Sequence, residues 1–224
     1  MPDLIKSLAL KGCIVTGDAM NAQKNIAKAV REKEGDYVFA LKGNQGEFYE
    51  NVKDFMDDLA NSPQVDSRFE THEETDKGHG RIEIRKCWSS GDLDWLDQRQ
   101  EWAGLNSIAM IESTRIIGEK TTTERRYYIC SFEQNAQQTN RVVRAHWGIE
   151  NTLHWSLDVV FKEDFSRVRM GYAAENFSRV RKIALSLLKN HKTKKKKSVK
   201  TKRASCGWDN NFLREVLVGA GQQS

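Results

Sequence analysis

Residues 13–41 read CIVTGDAMNAQKNIAKAVREKEGDYVFAL, and this stretch decides the fold class. Cys13 to Thr16 is a short apolar, β-branched run, as a buried strand requires. Ile26, Ala27 and Val30 recur at helical spacing within Asn21 to Glu34, and Gly35 supplies the stop. Tyr37 to Leu41 is a second aromatic and β-branched run, hence a second strand. A strand–helix–strand unit of this length gives two parallel strands joined by a right-handed crossover. Ligands of open α/β sheets gather beyond the carboxyl ends of the strands. Asp18 lies there, after the first strand, and so does the turn Lys42-Gly43-Asn44-Gln45, after the second.

Working outward, Met1 to Leu10 reads as a short helix. Gln45 to Leu59 reads as another, with Phe48, Val52, Phe55, Met56 and Leu59 on its apolar face. From Ser62 to Phe132 the texture changes. Thr75 to Gly80 has the composition of a turn or loop, and Arg81 to Ser89 alternates charged and apolar residues as a half-exposed strand does. Ser107 to Ile117 and Glu124 to Ser131 are further strands, joined by a polar turn. These segments predict an antiparallel sheet inserted after the second parallel strand. Asn140 to about Phe161 reads as one long helix, and Ala173 to Leu188 as another, with Phe177, Val180, Ala184, Leu187 and Leu188 inward. No internal repeat is evident.

Composition limits the function classes. The chain has 224 residues, 38% hydrophobic and 30% charged, enough for one large domain or a domain with an insertion. No run approaches a membrane span and no signal peptide opens the chain, so a cytoplasmic location is the default. Cys13, Cys87, Cys130 and Cys206 are scattered, with no C-x-x-C pair, and read as reduced, mostly buried thiols. The net charge is +5, and the segment from Lys189 to Arg203 carries nine lysines and arginines with no acidic residue. Such a block suits phosphate binding, and a solvated linker accounts for it equally well.

The chemistry centres on HWGIENTLHWSLDVVFKED, residues 146–164. It places Glu150 on a helical face shared with Val143, His146, Trp147, Leu157 and Phe161. A carboxylate there needs a compensating partner, and a divalent metal is one. Periodicity alone favours a plainer account, a surface glutamate or one paired with Arg144 or Lys162. His146 and His154 flank Glu150 by one helical turn each, a span of about 12 Å, too long for three side chains to converge on one ion. Zinc is therefore disfavoured, and positioning or DNA contact is the better use of these histidines. Trp147 and Trp155 read as core packing in preference to base stacking. Asp164 reads as an ordinary helix-end charge, and Asp158 is left open between that and an accessory ligand. Lys42 and Asn44 are either phosphate contacts or simply a good turn.

The ordered set GDAMNAQ, YVFALKGNQ, HWGIENTLHWSLDVVFKED, NFSRVRKIALSLLKN and the closing GWDNNFLREVL resembles the H-repeat-associated insertion-sequence transposases of the ISAs type. The resemblance covers nearly the whole chain. It implies α/β architecture with a DDE catalytic core on a ribonuclease-H-like fold, its first strands missing here, and an inserted antiparallel β region. It implies that Asp18 is the second catalytic aspartate and Glu150 the catalytic glutamate, together holding Mg2+ or Mn2+, with metal binding weak or absent in these residues alone. The family's first aspartate lies on an earlier strand. Residues 1–224 are thus expected to be the carboxy-terminal part of a transposase, beginning at an internal methionine and inactive alone.

The implied organisation is a core part at 1–61 carrying Asp18, a β-rich insertion at 62–133, core helices at 134–190 carrying Glu150, and a basic tail with a terminal helix at 191–224. The tyrosine–arginine–glutamate–lysine pattern of related transposases is not kept, since Val143, His146 and Leu157 occupy its other positions. Arg141, Arg144, Lys162, Arg167 and Arg169 are the local DNA-binding candidates instead, joined by His146, His154 and Lys194 to Lys197. The implied partners are DNA, both insertion-sequence ends and target, and an intact transposase, with no membrane and a bacterial, nucleoid-associated location. Two other functions stand beside this one: a DNA-binding module that modulates an intact transposase, and a single-metal nuclease using Asp18 and Glu150. With the opening strands absent, the Asp18 strand is expected to sit at an open sheet edge.

Overall fold

The fold was examined in a computed structural model that describes residues 2–61, 68–78, 80–149, 153, 155–193 and 197–219. Two compact bodies divide the chain, residues 1–146 and 147–224.

The first body is built on a six-stranded sheet. Helix α1 (Pro2–Lys6) leads to β1 (Ile14–Gly17), α2 (Lys24–Glu32) and β2 (Asp36–Leu41), followed by α3 (Glu47–Asn61). β1 and β2 are parallel, with Ile14 opposite Asp36 and Gly17 opposite Phe39. This is the crossover unit expected from residues 13–41. Gly17 makes room for its neighbour: a Cβ there would stand 3.0 Å from the Phe39 ring, which would have to shift slightly. Four longer strands follow, β3 (Phe69–Gly78), β4 (Arg81–Ser90), β5 (Ser107–Ile117) and β6 (Lys120–Cys130). The strand order is β1-β2-β6-β5-β4-β3. The antiparallel strands therefore extend the same sheet, because β6 pairs with β2, Val38 facing Cys130 and Leu41 facing Tyr127. β1 lies at the edge, as expected.

Residues 75–78 depart from the expected turn, since they belong to β3 and pair in register with Ile84, Glu83, Ile82 and Arg81. Every position from Phe69 to Gly78 is polar or only partly buried, so the strand has no apolar alternation to betray it. It is held instead by ten paired positions with β4 and by Arg85, which reaches both Glu74 and Asp76. The turn between β5 and β6 is a two-residue hairpin loop after Ile117, which pairs with Lys120. Gly118 opens it at φ 58°, a backbone value that glycine adopts without a Cβ penalty.

Strand alternation builds two cores. Tyr37, Phe39, Ile108, Met110, Tyr127 and Ile129 face Ile26, Val30, Val52 and Met56 of α2 and α3. The intervening Val38, Ala109, Ile111, Tyr128 and Cys130 face Ala136 and Val143 of α4 (Ala136–Ile149). Period-two alternation on a sheet covered on both sides demands this double set. Asp57 of α3 accepts hydrogen bonds from the Arg125 guanidinium and the Tyr127 hydroxyl, both 2.9 Å, and so clamps that helix to β6. Burial and the Asp57 bond together raise the Tyr127 hydroxyl above its ordinary range. All four cysteines are free, Cys87 and Cys130 buried and Cys13 exposed. Burial pushes the Cys130 thiol up to about 12, so it stays protonated and inert.

The expected single helix from Asn140 to Phe161 starts earlier, at Ala136, and its described part runs to Ile149. Residues 156–160 form a π-helical turn. The second body then contains α5 (Ala173–Asn190), α6 (Val199–Trp208) and α7 (Asn210–Val218). Its buried stripe on α5 is Leu185 and Leu188, whereas Phe177 and Val180, expected inward, are exposed. α5 packs against both α6 and α7. The linker reading of the basic block is also corrected in part. Lys202 is 8% exposed, and its ammonium donates to the carbonyls of Leu188 at 2.9 Å and His191 at 2.6 Å. It caps carbonyls that the end of α5 leaves open.

Lys202→Met keeps the apolar stem and removes both charged hydrogen bonds. It is expected to destabilise the second body by about 1.5–3 kcal/mol, read as a lowered denaturant midpoint in circular dichroism. An unchanged midpoint would mean the cap carries no weight.

Candidate active site

Asp18 follows the last residue of β1 and is exposed. Its side chain has a defined posture. Oδ1 accepts from the Asn21 backbone N–H at 3.2 Å and from the Asn21 amide at 2.7 Å, while its carbonyl accepts from the N–H groups of Asn21 and Ala22, both 3.0 Å. Asp-x-x-Asn closes a local turn of this kind because short polar side chains bond their own backbone neighbours.

The second carboxyl-end turn is tied to the first. Asn44 and Gln45 both donate side-chain N–H groups to the Ala19 carbonyl at 2.9 Å. Asn44 thus braces the loop that carries Asp18. Lys42 is exposed, and its backbone N–H donates to the Gln45 side chain at 2.9 Å. Sequence reasoning missed Asn21 and Gln45 as bracing residues, although Asp-x-x-Asn and Lys-Gly-Asn-Gln both carry the turn chemistry that would have found them.

His146, the last residue of the first body, is within 2.8 Å of the Thr16 hydroxyl through Nδ1. Thr16 precedes Asp18 by two positions on the strand, so a single hydrogen bond fixes α4 against β1 at the level of the candidate site. Nothing in the sequence marked Thr16, because the two partners are 130 residues apart. Arg144, one of the expected DNA contacts, pairs with Asp76 on β3. The Arg85 hydrogen bond, backed by the Arg144 charge, holds the Asp76 carboxyl below the usual carboxylate range. Arg141 is exposed on the same helix.

Several expected site residues fall outside the described residues: Glu150, His154, Lys194, Lys195 and Lys196. Of the rest, Lys162 is exposed at φ 53°, a left-handed value, and Glu163 beside it donates its N–H to Leu157 O at 3.2 Å. Lys162 therefore occupies a helix-terminating position that suits glycine. Lys197 places its ammonium 4.9 Å from the Phe212 ring centre, a cation–π contact. Asp164 is exposed, in keeping with a helix-end charge. The tryptophans depart from the expected core packing, since Trp155 is 58% exposed and Trp147 is also exposed. The sheet receives α4 through Ala136 and Val143, and the buried residues just past Trp155 are Ser156, Leu157 and Val160, which leaves both indoles outside either core.

The comparisons with known proteins decide the family. Residues 1–187 match the model of the transposase DDE domain. This chain belongs to the DDE transposase family. It is similar to the H repeat-associated putative transposase YhhI of Escherichia coli K12, 39% identical over 99% of this chain and 59% of that protein. Putative protein YbfL of the same strain shows the same identity and coverage, and putative transposase YncI of Escherichia coli O157:H7 is 37% identical over 99% of this chain and 57% of its own length. The chain thus spans less than two thirds of these relatives. No helix among the described residues is long and apolar enough to cross a membrane.

An exposed carboxylate such as that of Asp18 has oxygens of the hard type that magnesium and manganese prefer. Among the described residues no group of three or more histidine, cysteine, aspartate or glutamate side chains could hold a metal ion.

Thr16→Val and His146→Phe, combined in a double-mutant cycle, are expected to show a coupling near 1 kcal/mol, with Thr16→Ser close to the parent. Additive single effects in urea melts would count against the bond. Lys162→Gly is expected to raise stability by about 1 kcal/mol by relieving the left-handed backbone, and a lowered melting temperature would contradict that assignment.

Proposed function

We propose that these 224 residues carry the second and third carboxylates of a DDE transposase that cuts DNA at insertion-sequence ends and joins them to target DNA. The unit β1-α2-β2 with α4 is read as part of a ribonuclease-H-like core, and β3 to β6 as its antiparallel insertion. The observation that carries the reading is Asp18, accessible at the carboxyl end of β1 and held by Asn21 in a loop braced from the neighbouring strand end. The Thr16–His146 bond supports it, because it fastens to that strand the helix whose sequence runs on to Glu150.

Asp18 and Glu150 would hold Mg2+ or Mn2+. When bound, two such ions activate an attacking hydroxyl and stabilise a leaving oxygen. The residues of this chain hold the strand end and the helix in place, and Asn21 fixes the carboxylate rotamer. DNA is the proposed partner. Lys42, Arg141, Lys162 and the lysines from Lys194 to Lys197 are proposed to meet its phosphates. Arg144 and His146 act there through their intramolecular bonds to Asp76 and Thr16. By the family resemblance three carboxylates complete such a site, of which Asp18 and Glu150 would supply two, so the proposed cleavage depends on a third carboxylate, with an intact transposase as one source, in a cytoplasmic, nucleoid-associated setting.

Supercoiled plasmid incubated with the 224-residue chain and Mg2+ or Mn2+ is expected to remain un-nicked. Nicking that disappears in Glu150→Gln would overturn the requirement for a third carboxylate. Electron paramagnetic resonance of added Mn2+ should show weak binding that falls in both Asp18→Asn and Glu150→Gln. Binding unchanged in both variants would remove these two residues from the site.

A further inference from the structure

The pentapeptide Phe-Ser-Arg-Val-Arg occurs twice in the second body, at Phe165–Arg169 and Phe177–Arg181. It corrects the reading of the chain as free of repeats. The repeat is short, and its copies have different backbones. The first starts in a turn and runs on without regular structure, and the second lies within α5. A sequence repeated for packing would be expected to keep one conformation. What the copies share is the side chains they turn outward.

Phe165 is 80% exposed and Phe177 51%. The first arginine of each copy, Arg167 and Arg179, is exposed as well. The second arginine of each copy braces its surroundings. Arg169 donates to the carbonyls of Ser166 and Val168, at 2.9 and 3.2 Å. Arg181 lies 3.6 Å from Glu163 and 5.8 Å from the Phe177 ring centre, which ties the second copy to the segment just before the first. Arg179 pairs with Glu175 on the helix surface, an exchangeable contact worth little in water. Tyr172, between the copies, is 80% exposed. From Phe161 to Asn190 seven lysines and arginines outnumber three carboxylates, so the segment suits a polyanion.

Aromatic rings exposed among arginines match the chemistry of single-stranded nucleic acid, where bases stack on rings and phosphates track the cations. Bases paired inside a duplex do not offer their faces to such rings. We propose that the two Phe-Ser-Arg-Val-Arg copies form a platform for unpaired DNA, with Phe165 and Phe177 stacking bases and Arg167 and Arg179 meeting the adjoining phosphates. The proposal rests on the transposase reading, in which cut ends supply unpaired strands, and it gives this surface a substrate distinct from intact duplex.

The test is fluorescence anisotropy of the full chain with a labelled oligothymidine of about 16 nucleotides and with a duplex of the same length. The double variant Phe165→Ala, Phe177→Ala is expected to lose roughly five- to a hundredfold in oligothymidine affinity for each ring engaged while duplex affinity stays within about twofold. Arg167→Gln with Arg179→Gln should weaken both ligands and flatten the log–log salt slope by about 0.7 per contact on single strands. Phe165→Trp and Phe177→Trp keep a stacking ring. Their indole fluorescence should be quenched by oligothymidine, which gives a readout even if the alanine variant folds poorly. Unchanged oligothymidine affinity in the alanine variant, or absence of quenching in the tryptophan variants, would overturn the platform. A change of mass by sedimentation velocity in the alanine variant, with oligothymidine affinity kept, would overturn it in favour of a contact between copies of this chain. Asp18-dependent Mn2+ binding should persist in every one of these variants, so failure here is distinguishable from failure of the active-site reading.

Discussion

β2 is the element on which the rest depends. It is parallel to β1 on one side and antiparallel to β6 on the other, and residues on both its faces are buried. That position joins two kinds of sheet into one. The parallel side delivers Asp18 and the Lys42–Gln45 turn to a common edge. The antiparallel side carries four strands that give α3 and α4 a floor. Asp36, at the start of β2, locks the arrangement, since it accepts from Arg31 at the end of α2 and from Ser131 just past β6. The Ser131 hydroxyl also receives the Tyr37 N–H at 2.8 Å. Loss of the β2–β6 pairing would reduce the sheet beneath the Asp18 loop to the β1–β2 pair, and two strands are marginally stable without further packing.

The parts of the fold legible in sequence were those in which side-chain burial follows backbone period. The β1-α2-β2 unit could be read because Ile26, Ala27 and Val30 repeat at helical spacing between two β-branched runs. α3 could be read for the same reason, with Phe48, Val52, Met56 and Leu59 buried as expected. β3 could not, because an edge strand that exposes Glu70, Glu73, Asp76 and Lys77 has the composition of a loop. Its charges also guard the edge, as acidic and basic residues do on exposed strands. On α5, Leu188 is buried as expected while Phe177 and Val180 are not, because periodicity shows that a helix has an apolar face but not how much of it meets a partner.

The candidate site was legible at Asp18, whose position after a β-branched run and before a crossover helix is a statement about topology. Its supports were legible only in part. Asn21, Asn44 and Gln45 lie in turn motifs, and their chemistry is local. Thr16 and His146 are distant in the chain, and only the folded sheet brings them together. Lys202 shows the same limit from the other side. A lysine within a block of like charges reads as solvated, and only the carbonyls at the end of α5 make its burial favourable. The transposase family, resting on ordered motifs along the whole chain, could be read before any of these contacts were known.

Asp18 and Glu150 are the central claim, and the most direct measurement is anomalous X-ray diffraction from crystals of the chain soaked in Mn2+. The expected result is an anomalous peak about 2 Å from a carboxylate oxygen of Asp18, with the Glu150 carboxylate on the same ion and Thr16 still bonded to His146. A manganese ion bound elsewhere, with Asp18 retaining only its bonds to Asn21, would contradict it.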